Sequence, residues 1–375
     1  MKKVLFISNN ATRTGAPYVL LLFLRWLKKE NKKIEIHILF LEGGDLLSDF
    51  KEITPKCYNY SDILIKKPFL NRVFSFMLHK INKNNTRKNR YIKNIANQQY
   101  DIIYANTIAS VSFATLLKKN CINKPKLIAH IHELNTAIKE YLPNLNEYVP
   151  HIDLFISVSH LVMEHLNTDW QVNPLQNHLV YAFSDKETQK VTDNKKVFEV
   201  GASGMVNPRK GDDLFIQVAN YIKTRHPEIN IKFTWVGQIY NRQKISIEAD
   251  LEKANLKETV FFVGEQNTPE MYYKNFDVFL MTSREDPFPL VCIEVGKMGI
   301  PIICFENATG TTEILTEGGG FIVPYLDVVA MAEKLIFYYN DRALIHKDGA
   351  INKVKFAEFT AENMGEKIYN CIESI

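Results

Sequence analysis

The sequence has little that would cross-link it, anchor it or charge it strongly. Its five cysteines, at positions 57, 121, 292, 304 and 371, include no CxxC pair. An odd, dispersed set reads as reduced, buried thiols of a cytoplasmic protein rather than as a disulfide framework. No apolar run approaches the ~20 residues needed to cross a bilayer. Lys2-Lys3 before Val4–Ile7 imitates the start of a signal peptide, but the apolar run is too short, and a soluble or peripheral protein is expected. Net charge is only +4, which gives no reason to expect a nucleic-acid partner. A Walker A pattern is missing, and Lys3–Gly15 lacks the three-glycine dinucleotide fingerprint.

What is present is a regular alternation. The 375 residues are 46% hydrophobic, too long for one ordinary core and suited to two domains. Short apolar runs at Lys3–Ser8, Ile34–Leu39, Ile102–Tyr104, Leu127–His130 and Leu154–Val158 read as strands, with helical patterns at Pro17–Lys29 and Val111–Lys119 between them. The second half repeats the plan. Val197–Ala202, Lys232–Val236, Val260–Val263, Val278–Met281 and Pro301–Cys304 read as strands, and Asp212–Arg225 and Asp327–Tyr339 as helices. Such alternation predicts βαβ units and parallel sheets. The polar tract Ser184–Lys196 reads as an interdomain linker. The expected domains are residues 1–183 and 197–355, followed by a closing helix over 356–375.

The most informative segment is Ser283–Glu294, between the apolar strand Asp277–Met281 and a helix. Acids stand on both sides of an apolar run that opens with Pro287 and Pro289. Pro289 fits a first helical turn, where its missing N–H costs nothing. The N–H groups that follow, near Leu290 and Val291, make an anion site. Asp286 falls on the loop and Glu294 about a turn and a half into the helix. That arrangement suits a sugar nucleotide, with diphosphate on the helix terminus and sugar and ribose flanking it. A second cluster, Gly201–Asp213, also runs from strand to helix. Its small residues allow close backbone approach, and Arg209-Lys210 supply positive charge that would offset a departing diphosphate. In the first half, Ser8–Gly15 leads into a long apolar helix, placing Gly15 at a strand-to-helix turn. His130 and His132 alternate with Ile131, so both point the same way. A zinc pair there lacks a clear third ligand, and no metal site is assigned.

Asp286-x7-Glu294 resembles the signature of retaining GT-B glycosyltransferases of the glycosyltransferase family 4 type, which more often has Glu at the first position. The resemblance implies two Rossmann-like domains with parallel sheets facing across a cleft, the N-terminal one for the acceptor and the C-terminal one for the nucleotide sugar. It also implies a last helix that crosses back. Lys210-Gly211 matches the family's donor-phosphate lysine, Gly15 its first glycine loop, and His132-Glu133 its post-strand histidine near the transferred sugar. By the same resemblance, Glu294 accepts from the ribose hydroxyls, Asp286 orients the donor sugar, and backbone at Gly237 and Val263 holds the base. Many members carry an Arg six residues before the lysine. Gly204 stands there in this chain, with Arg209 or Arg284 as the nearest substitutes. The donor expected is a UDP or GDP sugar, and no cofactor is called for. An Asp-x-Asp triplet, the metal–diphosphate clamp of the other main glycosyltransferase architecture, is absent, and metal-independent transfer is expected.

The acceptor expected is a glycan or lipid-linked glycan, in surface polysaccharide or lipopolysaccharide assembly. Six Lys or Arg and no acid lie in His79–Lys93, a basic segment suited to anionic lipid at the inner face of the cell membrane. A GT-B-type sugar-nucleotide epimerase using His132, Glu133 and Asp286, and a non-catalytic nucleotide-sugar binder, are the competing readings.

Overall fold

The structure, a computed structural model, describes residues 1–62, 80–186 and 197–375, without the side chains of 80–86. Most of the linker tract and His79 therefore lie outside the described residues. The chain divides into two compact units, Met1–Tyr181 with Ala361–Ile375, and Ala182–Thr360.

The first unit is built on β1 (Lys2–Ser8), β2 (Ile34–Phe40), β3 (Cys57–Asn59), β4 (Ile102–Asn106), β5 (Lys126–Ile131), β6 (Leu154–Ser157) and β7 (Asn177–Leu179). They form one sheet in the order β3-β2-β1-β4-β5-β6-β7, every pair parallel. Central strands of such a sheet are covered on both faces and read as continuous apolar runs. Val4 to Ile7 accordingly are fully buried, each worth about 1.5–3 kcal/mol of transfer free energy. The helix Gly15–Lys29 begins two residues earlier than its pattern suggests. The helix Ala361–Glu373 buries Ala361, Met364, Gly365, Ile368 and Ile372, a stripe at helical spacing. It lies on Gly15–Lys29, where a Cβ at Gly365 would stand 2.8 Å from the Trp26 ring. Lys29–Glu362 (3.0 Å) and Lys32–Glu366 (2.7 Å) border the contact.

The second unit contains β8 (Phe198–Ser203), β9 (Ile231–Val236), β10 (Val260–Phe262), β11 (Val278–Met281), β12 (Ile302–Phe305) and β13 (Gly320–Val323). Their order, β10-β9-β8-β11-β12-β13, repeats that of the first unit. Phe215 packs edge-on against both Phe233 and Trp235 in its core, a favoured aromatic geometry. The edge strands β3, β7 and β13 have no counterpart in the sequence reading, because they are largely half-buried or exposed and lack the continuous apolar run of a covered strand.

Candidate functional site

In each sheet the strand order reverses direction beside its first strand, and that switch point is where open α/β sheets leave a crevice at their C-terminal ends. In the second unit it lies between β8 and β11, flanked by the loops Gly204–Gly211 and Thr282–Pro289. These loops are tied together. Arg284 N–H donates to Arg209 O at 2.8 Å, Arg209 Nη1 to Glu285 O at 2.6 Å, and Thr282 Oγ1 to Lys210 O at 3.1 Å. The Arg284 guanidinium takes both carboxylate oxygens of Asp213 at 2.9 Å, a bidentate pair of fixed geometry. That guanidinium also holds the Asp213 carboxyl below the usual range.

Lys210 and Asp286 meet at the centre of this frame. Lys210 Nζ donates to Asp286 Oδ2, with the two side chains only 15% and 10% exposed. The cation expected to face a diphosphate and the acid expected to face a sugar thus neutralise each other. Next to them the helix Leu290–Lys297 begins. Pro289 lies just outside it as the capping residue, with ψ 129°, not in the first turn as its sequence suggests. A proline before the helix has no side-chain acceptor, so no side chain caps this terminus. The Leu290 and Val291 N–H groups consequently have no intrahelical partner and both residues are half-buried.

Glu294 lies one turn further along, 6% exposed. Burial raises its carboxyl above the usual value, opposed by Lys186 and by a hydrogen bond from Ser184. Ser184 Oγ donates to Glu294 Oε1 at 3.1 Å, and Lys186 Nζ stands 3.8 Å from the same oxygen.

The glycines explain the departure at position 204. Gly204 has φ +139° and Gly237 φ +155°, and a Cβ on Gly237 would stand 2.0 Å from Gly204 O. Trp235 Nε1 donates to that same carbonyl at 2.8 Å. An arginine at 204 is excluded by backbone conformation. Gly211 has φ +74°, and its Cβ would stand 2.0 Å from Thr282 O, so the lysine before it is presented by a turn only glycine makes here. Gly237 N–H donates to Gly264 O, and Val263 N–H to Trp235 O, both at 3.0 Å, which joins the loops after β9 and β10.

The switch point of the first unit is chemically different. Ser8, Asn106 and His130 are neighbours in register across β1, β4 and β5, and all three are buried. Tyr104 Oη and His130 Nδ1 share a hydrogen bond of 2.6 Å. The His130 and His132 rings lie 4.1 Å apart, as alternation predicts. Burial holds His130 well below its ordinary pKa and His132 at about 3, so both are neutral. The buried atoms His130 Nε2, His132 Nε2 and Asn106 Oδ1 have no partner among the described residues. Glu133, a candidate acid or base, accepts instead from the N–H groups of Ile108 (3.0 Å) and His132 (2.9 Å) at the start of the helix Ile108–Asn120. Gly15 is the first residue of its helix and exposed, with open space where a Cβ would point. Among the described residues no group of three His, Cys, Asp or Glu is placed to hold a metal.

The site contacts of Ser184, Asp213, Asn106 and Tyr104 were not read from the sequence. Ser184 lies in a polar tract and Asp213 pairs with a residue 71 positions away. No local pattern encodes such contacts.

The basic segment folds in part as the helix Lys80–Ala96, with Arg87, Lys88 and Arg90 exposed. No helix among the described residues is long and apolar enough to cross a membrane.

Two parallel sheets of Rossmann order in one chain make this an α/β protein of the GT-B fold. Residues 183–355 match the family model for glycosyl transferases group 1. The O-antigen biosynthesis glycosyltransferase WclY of Escherichia coli is 24% identical over 395 residues, taking in 98% of each chain. D-inositol 3-phosphate glycosyltransferase of Paenarthrobacter aurescens is 24% identical over 123 residues, only 32% of this chain and 30% of that one. The crystal structure of Anabaena HepE in complex with UDP-glucose superposes with a TM-score of 0.80 at 14% identity, over 100% of both chains.

Proposed function

We propose that this protein is a retaining glycosyltransferase that moves a sugar from a UDP or GDP sugar to an acceptor hydroxyl without a metal ion. The acceptor is a glycan or lipid-linked glycan of surface polysaccharide assembly, met at the cytoplasmic face of the membrane. The observation that carries this reading is the set Lys210, Asp286, free helix terminus and Glu294 at one switch point. The relatives named for O-antigen, capsular polysaccharide and lipopolysaccharide core synthesis support it.

In this reading the diphosphate sits on the Leu290 and Val291 N–H groups, where a helix terminus favours negative charge. It draws Lys210 from Asp286. Asp286 is then free to accept from hydroxyls of the donor sugar, and Glu294 accepts from those of the ribose. Backbone at Gly237 and Val263 borders the base. As the bond from the anomeric carbon to the phosphate oxygen breaks, its electron pair stays on the phosphate and Lys210 offsets the charge. The acceptor oxygen attacks the same face, and its proton passes to the departing phosphate, so no dedicated base is needed. His132 faces the sugar or the acceptor as a neutral hydrogen-bonding group. The exposed Arg87, Lys88 and Arg90 suit contact with anionic lipid.

Calorimetric titration of UDP, GDP, ADP and CMP into wild type and Glu294→Ala, without metal, tests the donor site. Micromolar binding of one nucleotide, weakened in the variant, is expected; binding of none by the folded protein refutes it. Retention is read from the anomeric configuration of the product by NMR. Two observations favour a second reading, a binder that does not turn over. Lys210 is already neutralised by Asp286, and no arginine stands at 204. Nucleotide-sugar binding with neither transfer nor slow donor hydrolysis would select it.

A further inference from the structure

Ser184 lies near the start of the second unit, where a polar tract suggests only a linker, yet it is fully buried. Four hydrogen bonds involve it, one of them from the Lys186 N–H to its hydroxyl oxygen at 3.4 Å. Its N–H donates to Phe359 O at 3.3 Å, its hydroxyl to Glu294 Oε1 at 3.1 Å, and its carbonyl accepts from Lys297 Nζ at 2.5 Å. Lys297 Nζ also reaches Phe359 O at 3.2 Å. Lys297 and Glu294 are three residues apart on one helix, hence on one face. A single helix face therefore holds both the segment by which the chain enters this unit and the segment by which it leaves. Lys186, bound to Glu270 at 2.6 Å, also lies toward Glu294 Oε1. The contacts made by the Glu294 carboxylate fall on Oε1, and Oε2 has no partner among the described residues.

We propose that Ser184 is a positioning residue for nucleotide recognition: it pins one oxygen of Glu294 so that the other meets the ribose hydroxyls. Lys297 acts one step further out, fixing the Ser184 backbone. The proposal rests on the reading of Glu294 as the ribose acceptor. A hydroxyl donating to a buried carboxylate contributes more than a neutral pair, and losing it releases the carboxylate to rotate.

The test uses UDP, GDP and their 2′,3′-dideoxy forms, titrated into wild type, Ser184→Ala, Ser184→Thr and Lys297→Met, with each variant's thermal midpoint as a folding check. Wild type is expected to prefer the ribose form. Ser184→Ala should weaken that form about tenfold and leave the dideoxy form within about twofold. Ser184→Thr, which keeps the hydroxyl, should recover the preference, and Lys297→Met should lose it in smaller measure. Equal weakening of both forms by Ser184→Ala would make the residue merely structural and overturn the proposal, as would unchanged affinity for both. Wild type that binds the two forms equally, or neither, refutes instead the role of Glu294 on which the proposal stands.

Discussion

The two sheets share a strand order and differ in what they hold at the switch point. In the second unit the crevice is bounded by charge: Lys210 against Asp286, Arg284 against Asp213, Glu294 beside Lys186. In the first it is bounded by neutral polar groups: Ser8, Asn106, His130 and His132, two of them histidines that burial keeps unprotonated. One topology thus supplies the place for a ligand, and the side chains at the strand ends decide its kind. Paired charges can be exchanged for a ligand's charges. Buried neutral donors and acceptors suit hydroxyl groups, whose hydrogen bonds carry no net charge.

The sharpest way to break this contrast is to discharge the second crevice. Lys210→Met should weaken nucleoside diphosphate binding at least a hundredfold and leave Asp286 buried without its cation. Losing one partner of such a pair costs about 3–5 kcal/mol, to be measured by denaturant titration. Nucleotide affinity unchanged in Lys210→Met would remove the distinction between the units.

Asp286→Asn probes the same pair from the other side. Stability should fall by about 3 kcal/mol without ligand. Inorganic pyrophosphate should then bind more tightly than in wild type, because the competing carboxylate is gone. At a hundred times its dissociation constant it should restore about 2.7 kcal/mol. Thermal melts with and without pyrophosphate read both effects.

The first crevice should respond to pH instead. His130 and His132 have folded pKa values depressed below that of the unfolded chain, so the unfolded state binds more protons in acid. Their contribution is complete above about pH 6.5 and is lost as pH falls below it. Each histidine steepens the fall of stability with pH below that point, and for His132 the fall continues toward its folded value of about 3. Chemical denaturation at pH 7, 6 and 5 should show this slope, and His130→Asn should remove about half of it.

The smallest effect is expected at Gly15. A Cβ there meets open space, so Gly15→Ala should change stability by less than about 0.5 kcal/mol. Gly211→Ala makes the contrast. With φ +74° and a backbone oxygen 2.0 Å from the new Cβ, it should cost more than about 2 kcal/mol.

Much of this was legible in the sequence because it is local. Val4–Ile7 and Val278–Met281 are continuous apolar runs, and only a strand covered on both faces needs one. The Asp286-x7-Glu294 spacing and Lys210-Gly211 could be read because each spans a single strand–loop–helix unit. By itself the sequence determined the α/β class, the doubled βαβ plan and the residue types at the second crevice. The tertiary structure alone decided which of them touch. Lys210 and Asp286 are 76 positions apart, and Ser184 and Glu294 110. Periodicity reports which face of an element is buried, whereas a hydrogen bond between distant residues depends on how whole elements pack. That is also why Gly204 reads as a missing arginine in the sequence and proves, from its positive φ and the Trp235 bond to its carbonyl, to be a backbone requirement.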